Sequence, residues 1–126
     1  MNSDIVVQKA LVAALATLEG VGVFDGPPAR AAYPYVAIDG GFSTDWSTKT
    51  AAGREHRIAV TLWDDGRSAA RLHALMAEVG SAIEAMPRAL EGCRVASLVF
   101  LRSRVTRDAA GPWAGIVEYR VRVMAT

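Results

Sequence analysis

Residues 54–86 have the sequence REHRIAVTLWDDGRSAARLHALMAEVGSAIEAM, and their hydrophobic period changes at the turn Asp64-Asp65-Gly66. Before this turn apolar and polar residues alternate, which predicts a strand over residues 54–63. After it apolar residues recur every three or four positions, which predicts a helix over residues 68–86 that Pro87 ends. A strand that leads directly into an amphipathic helix indicates a domain in which helices pack on a sheet.

The N-terminal segment is predicted to form a second helix, over residues 3–18. Its spacing of apolar residues defines one core-facing side, formed by Val7, Leu11, Leu15 and Leu18. The remaining sides are also apolar, and a helix of this kind is usually buried on more than one side. In so small a domain we expect the second side to contact a neighbouring subunit, through Ile5, Val6 and Val12.

Between these two segments lie a Gly/Pro-rich connection over residues 19–32 and a predicted strand over residues 33–39. Residues 40–53 are rich in Gly, Ser and Thr and lack periodicity, so we expect a long exposed loop. Loops of this length are often functional or disordered. A large aromatic residue in such a loop can anchor a partner, and the predicted partner-docking residues are Phe42, Asp45, Trp46 and Lys49.

The C-terminal part is predicted to contain two strands, over residues 94–106 and 114–124, joined by a turn. The predicted order of elements is therefore α-β-β-α-β-β. This order indicates an α+β fold with a mostly antiparallel four-stranded sheet and two helices packed on one face. Residues 1–126 are expected to form a single domain.

The composition limits the class of protein. Of the 126 residues, 52% are hydrophobic and 21% are charged, which is sufficient for a real core. The net charge of +1 argues against bulk nucleic acid as the main partner. The sequence has one cysteine, no apolar run of about 20 residues and no basic segment at its start, so we expect a soluble intracellular protein that does not contact a membrane.

No residue pattern in the sequence indicates catalysis. His56 and His73 have no adjacent nucleophile and acid, so we expect ordinary histidines at the surface or at a sheet edge. Asp64-Asp65 is more typical of a turn with a helix cap than of a metal site. Cys93 follows Gly92 just before a predicted strand and is expected to be a small core or edge residue rather than a reactive thiol. The sequence therefore predicts neither an enzyme nor a metal or cofactor site.

Four arginines form the most distinctive charge pattern of the C-terminal strands. Alternation places Arg102 and Arg104 on one face of the third strand, and Arg120 and Arg122 on one face of the fourth. If these strands pair, one sheet face carries all four. This face is either simply solvated or pairs with acidic groups of a partner subunit or with passing DNA, since arginine favours bidentate contacts.

The whole arrangement resembles a known family. An apolar helix is followed by Tyr33-Pro34-Tyr35-Val36-Ala37-Ile38, a polar loop, a strand that ends in Leu62-Trp63, and an Ala-rich helix that begins near Ala69-Ala70. The chain closes with the strand Ile116-Val117-Glu118-Tyr119-Arg120-Val121-Arg122-Val123. This pattern, over nearly the whole chain, is similar to the tail-completion, or tail-terminator, proteins of long-tailed bacteriophages and gene transfer agents.

The resemblance implies a structural role in the virion, at the head-tail junction, after assembly in the host bacterial cytoplasm. Such proteins form a hexameric ring on the head-proximal end of the tail tube, stop tube polymerisation and join the tail to the head-side connector, while DNA passes through without sequence-specific binding. The family carries no catalytic residues. The alternative from another class is a small dimeric ligand-binding or regulatory module, which would need a concave apolar pocket.

Overall fold

The computed structural model describes residues 2–107 and 109–126 and contains two helices and seven strands. In chain order the elements are α1 (Ser3–Leu15), β1 (Gly22–Asp25), β2 (Tyr35–Ile38), β3 (Phe42–Asp45), β4 (Gly53–Asp64), α2 (Ala70–Glu84), β5 (Ala89–Leu90), β6 (Cys93–Arg107) and β7 (Trp113–Ala125).

The seven strands form one mixed and strongly curled sheet. Its order is β1-β2-β4-β7-β6-β5, and β3 pairs with β4 beside the end of β2. Strands β1 and β2 are parallel, whereas every other pair is antiparallel. The long strands β4, β7 and β6 form its centre, because twelve residues of β4 pair continuously with β7.

The predicted fold class, a mostly antiparallel four-stranded sheet in the order α-β-β-α-β-β, is wrong. The sheet has seven strands, and three of them were missed. Strands β1 and β3 are four residues long and follow or contain glycine, so neither shows a hydrophobic period. Strand β5 has only two residues. Short strands of this kind are defined by their pairing with a neighbour, which local sequence does not encode.

The two predicted helices and the four predicted strands are present, and their ends lie within three residues of the predicted ones. The largest difference is at the end of helix α1, which ends at Leu15 rather than at the predicted residue 18. There the hydroxyl of Thr17 donates a hydrogen bond to the carbonyl of Ala14 at 2.7 Å, which competes with the next helical turn.

Both helices pack against the same face of the sheet, the helix-covered face, and the other side is called the open face below. The core between helices and sheet is continuous and contains Leu11, Leu15, Val36, Val60, Leu62, Leu72, Val79, Ile83, Val117 and Tyr119. A smaller cluster joins Val7 of α1 to Cys93, Val95, Val121 and Val123. Burial raises the pKa of the Cys93 thiol, so this cysteine is a core residue, as predicted.

The junction between β4 and α2 is held by an ion pair. The carboxylate of Asp64 is fully buried and accepts hydrogen bonds from Nε of Arg71, at 2.8 Å, and from its Nη2. These hydrogen bonds, more than any other contact, lower the pKa of Asp64. The pair therefore fixes where α2 starts relative to β4. Asp64 belongs to the turn as predicted, but the predicted helix cap is wrong, because the N-cap residue of α2 is Ala69, which makes no side-chain cap hydrogen bond.

Candidate functional site

The register of β6 and β7 brings the four arginines to the open face. Arg102 lies opposite Glu118, Arg104 opposite Ile116, and Arg122 opposite Ser97, so these side chains alternate with the buried ones. Two glutamates lie among them. Nε of Arg102 donates to Glu118 at 2.8 Å, and Nε of Arg122 donates to Glu55 of β4 at 2.9 Å. Two of the four arginines are therefore engaged in ion pairs within the subunit.

Glu55 is the acidic centre of this face. The hydrogen bond from Arg122 lowers its pKa most, and the charges of Arg122, Arg57 and Arg120 lower it further, whereas burial opposes the shift. Arg57 lies opposite Arg120 across the β4–β7 pair, and its Nε is 3.7 Å from Glu55. The open face is thus a mixed network with a small positive excess, which can contact anionic groups weakly.

The predicted loop over residues 40–53 is mainly a β-hairpin, which corrects the expectation of an exposed aperiodic loop. Strand β3 pairs with β4, and the N–H of Trp46 extends the ladder by donating to the carbonyl of Gly53 at 3.0 Å. The tip closes through Thr48, whose N–H donates to the carbonyl of Ala51 at 2.9 Å and whose hydroxyl accepts from the N–H of Ala51 at 3.1 Å. Residues 42–50 contain five hydroxyl side chains and no alternation of apolar and polar residues, so periodicity missed this hairpin.

The four predicted docking residues differ in accessibility. Phe42 has 64% of its surface exposed, and Asp45 and Lys49 are also exposed. Trp46 is half-buried instead, since the guanidinium of Arg122 lies 5.2 Å from its ring centroid. The hairpin thus joins the arginine network through Trp46, and it presents Phe42 to solvent.

Helix α1 presents an apolar surface as well as its buried side. Ile5 and Val12 are 55% and 38% exposed. Val6 is half-buried and packs against the smaller core cluster, so it is partly used within the subunit. Of the three predicted subunit-contact residues, Ile5 and Val12 are therefore the accessible ones.

A polar cluster that the sequence did not reveal joins α1 to β4. It contains His56, which is 5% exposed on an interior strand, so the prediction of a surface or edge histidine is wrong for this residue, whereas His73 is exposed. The imidazole of His56 has Ser3 Oγ 3.0 Å from Nε2 and Asp4 Oδ1 3.4 Å from Nδ1. Burial lowers the pKa of His56 most, while the charge of Asp4 opposes that shift. Ser3 is 3% exposed, so no substrate reaches its hydroxyl, and the cluster anchors the helix rather than catalysing a reaction. Ser3 and His56 are 53 residues apart, so no local signal connects them.

The cavities of the described residues are surface clefts. One of about 610 Å³ lies between the end of α1 and α2, and most of its lining residues are exposed. Another of about 460 Å³ lies on the open face between Phe42 and Arg102. Neither is the enclosed apolar pocket that a small-molecule module needs.

Residues 2–107 and 109–126 contain neither a membrane-spanning helix nor a cluster of metal ligands. Neither helix is long and apolar enough to cross a membrane. No group of three or more His, Cys, Asp or Glu side chains within these residues is arranged to hold a metal ion.

Comparison with known proteins identifies relatives of the chain. The family described as "Tail completion protein gp17" matches residues 6–124. Among solved structures, a chain of "Virion of native gene transfer agent (GTA) particle" is similar at 24% identity, with a TM-score of 0.65, and the alignment covers 96% of this chain and 93% of that one. At this identity the similarity concerns the fold. No curated protein sequence matches the chain.

Proposed function

Because the chain belongs to the family of tail completion protein gp17, we propose that it forms a hexameric ring that caps the head-proximal end of a phage-like tail tube. Membership of this family makes the chain a structural component of a phage-like tail, and hence of the virion, and not an enzyme. In the proposed ring it stops tube polymerisation and joins the tail to the head-side connector.

The family match carries this proposal, since it includes 119 of the 126 residues, from 6 to 124. The surface of the subunit is compatible with it. A ring subunit needs two different faces that complement each other, because head-to-tail contacts close by rotation. The exposed apolar side of α1, with Ile5 and Val12, is one such face.

The proposed partners are the other ring subunits, the tail tube protein and the connector or stopper protein of the head. We assign docking to the hairpin residues Phe42, Asp45, Trp46 and Lys49, three of which are exposed. DNA passes through the ring without sequence-specific binding. The ion pairs of Arg102 and Arg122 with glutamates leave only a small positive excess on the open face, which suits loose and salt-sensitive contact with phosphates.

The proposal is tested by native mass measurement over a range of protein concentrations, followed by negative-stain imaging of the largest species and of isolated tail tubes mixed with the protein. We expect a hexamer with a central hole, or a ring on one end of each tube, and tubes that no longer elongate. A stable dimer that leaves tube growth unchanged would overturn the proposal and favour the ligand-binding module. Bovine serum albumin at the same concentration controls for non-specific capping.

A further inference from the structure

Strand β6 forms a long edge of the sheet. Strand β5 pairs only with Cys93 and Arg94, and the N–H of Val95 donates to the carbonyl of Arg88 at 2.7 Å. From residue 96 to residue 107, within the described part of the chain, β6 pairs with β7 on one side and with no strand on the other. A row of unpaired N–H and C=O groups of this length is a template for a further strand.

Some of the usual protection against such pairing is absent from this edge, because residues 96–107 form a long segment without lysine or proline. The exposed arginines of β6 and its register irregularities at Ala96 and Leu101 remain, so a strand that joins this edge must complement the arginines and pair between the irregularities. Val99 and Phe100 are 39% and 50% exposed, and as consecutive strand residues they point to opposite faces. A strand that joined this edge would cover apolar surface on both faces of the sheet.

The charges of the two sheet edges indicate which strand of a second copy can pair with β6. Strand β6 carries four arginines and no acidic residue, and Arg104 and Arg107 near its end are exposed. The opposite edge of the same sheet is acidic. Residues 39–45, which lead into and form β3, contain Asp39 and Asp45 and no basic residue. Two edges of one sheet with opposite charge complement each other between copies of the chain.

Strand β3 fits this role better than β1, the other strand on that side. In β1 the ring of Phe24 packs edge-on against Tyr35 at 5.9 Å and is half-buried, so it is already used within the subunit. Phe42 of β3, by contrast, is the most exposed large hydrophobic residue of the described chain.

We infer that the free edge of β6 in one subunit pairs with β3 of a second copy, as a head-to-tail strand contact in which Phe42 packs against Val99, since both side chains lie on the open face of the sheet. This inference rests on the proposed ring and specifies its interface. It assigns Phe42 to the contact between subunits, and it leaves Asp45, Trp46 and Lys49 for docking to the tube or connector and the exposed side of α1 as a further contact surface. Because the two edges are different surfaces of the same subunit, each copy uses one edge to bind and offers the other, so that successive subunits close into a ring.

The first experiment compares three single lysine substitutions by native mass measurement, in the presence of tail tubes if the free protein is monomeric. Val99→Lys and Phe42→Lys place a charge in the apolar contact, and each is expected to weaken assembly at least about tenfold, the loss typical of a central contact residue. Ile116→Lys is the matched control, since Ile116 is an apolar residue with 36% exposure on the central strand β7, and it should assemble normally. All three residues are exposed, so thermal melting should remain cooperative.

A mixing experiment tests the head-to-tail geometry. Val99→Lys retains an intact β3 edge and Phe42→Lys an intact β6 edge, so an equimolar mixture should give a heterodimer that cannot grow. Assembly of Phe42→Lys alone through a symmetric β6–β6 contact would overturn the inference. So would mixtures in which the two variants remain separate although the wild type assembles.

Hydrogen exchange separates failure of this inference from failure of the proposed function. In the assembled wild type, the amides of residues 97–107 and 42–46 should exchange more slowly than in the dissociated subunit, and both segments should change together. A ring or capped tube in which both segments exchange at the rates of the free subunit would overturn the strand contact and leave the proposed function intact. Absence of any ring or cap would refute both.

Discussion

On β7 the side chains of Val121 and Val123 are fully buried beneath the helices, whereas their direct neighbours Arg120 and Arg122 lie on the open face. The same alternation holds along β4, where buried Val60 and Leu62 are followed on the other face by Trp63. One face thus carries the apolar contacts that hold the fold, and the other carries charges and a half-buried tryptophan. Substitutions one residue apart on these strands should therefore affect either the stability of the fold or the charge of the open face.

The largest effect is expected from the buried side of α1. Leu11 is completely buried in the main core, and Leu11→Ala should lower the free energy of unfolding by about 2–5 kcal/mol, because it loses apolar burial and leaves a cavity. Ile5 on the same helix is 55% exposed, so Ile5→Ala should change the free energy of unfolding by less than about 0.5 kcal/mol. Urea unfolding of both variants measures the difference, and equal losses would refute the assignment of the two sides.

An intermediate effect is expected from His56, which lies on the helix-covered side at the polar anchor of α1. Burial lowers its pKa from the ordinary value of 6.5 in the folded protein. Between the two pKa values the unfolded chain binds more protons, so the free energy of unfolding rises with pH there. The stability present above about pH 6.5 is therefore lost as the pH falls toward the folded pKa.

The measurement is the urea midpoint at several values between about pH 8 and about pH 5, where histidine changes charge. His56→Gln should flatten this dependence, since glutamine does not titrate. His73→Gln is the matched control, because His73 is exposed on α2, and it should retain the slope of the wild type. If the urea midpoint of His56→Gln depended on pH as strongly as that of the wild type, His56 would be excluded as the source of this pH dependence.

The sequence predicted those parts of the fold that repeat a period over many residues. Helix α2 was found because Leu72, Leu75, Val79 and Ile83 recur at helical spacing, and β4 because alternation extends over most of its twelve residues. Strands β1 and β3 could not be found in this way, since each has four residues and is defined by its partner.

The candidate site could likewise be predicted only where it depends on local periodicity. Alternation alone placed the arginines of each strand on one face, but it could not show that Glu55, 67 residues before Arg122, would be its ion-pair partner. Such a pair depends on the register of β4 and β7. The exposure of Trp46 was misjudged for the same reason, because the arginine that covers it belongs to a distant strand.

The smallest effect on stability is expected from Trp46 on the open face. Its ring contacts the guanidinium of Arg122, and Trp46→Ala should lower the free energy of unfolding by about 0.5–1 kcal/mol, the usual contribution of a cation–π contact at an exposed site. Trp63→Ala is the matched control at the other end of β4, where Trp63 stacks on Tyr35. If the hairpin docks to a partner, Trp46→Ala should reduce binding to tail tubes in a pelleting assay and retain a cooperative melt, whereas Trp63→Ala should bind normally. Loss of the cooperative melt in Trp46→Ala would show instead that this tryptophan is required for the fold. The open face would then contribute to stability at the hairpin, in contrast to the separation of roles argued above.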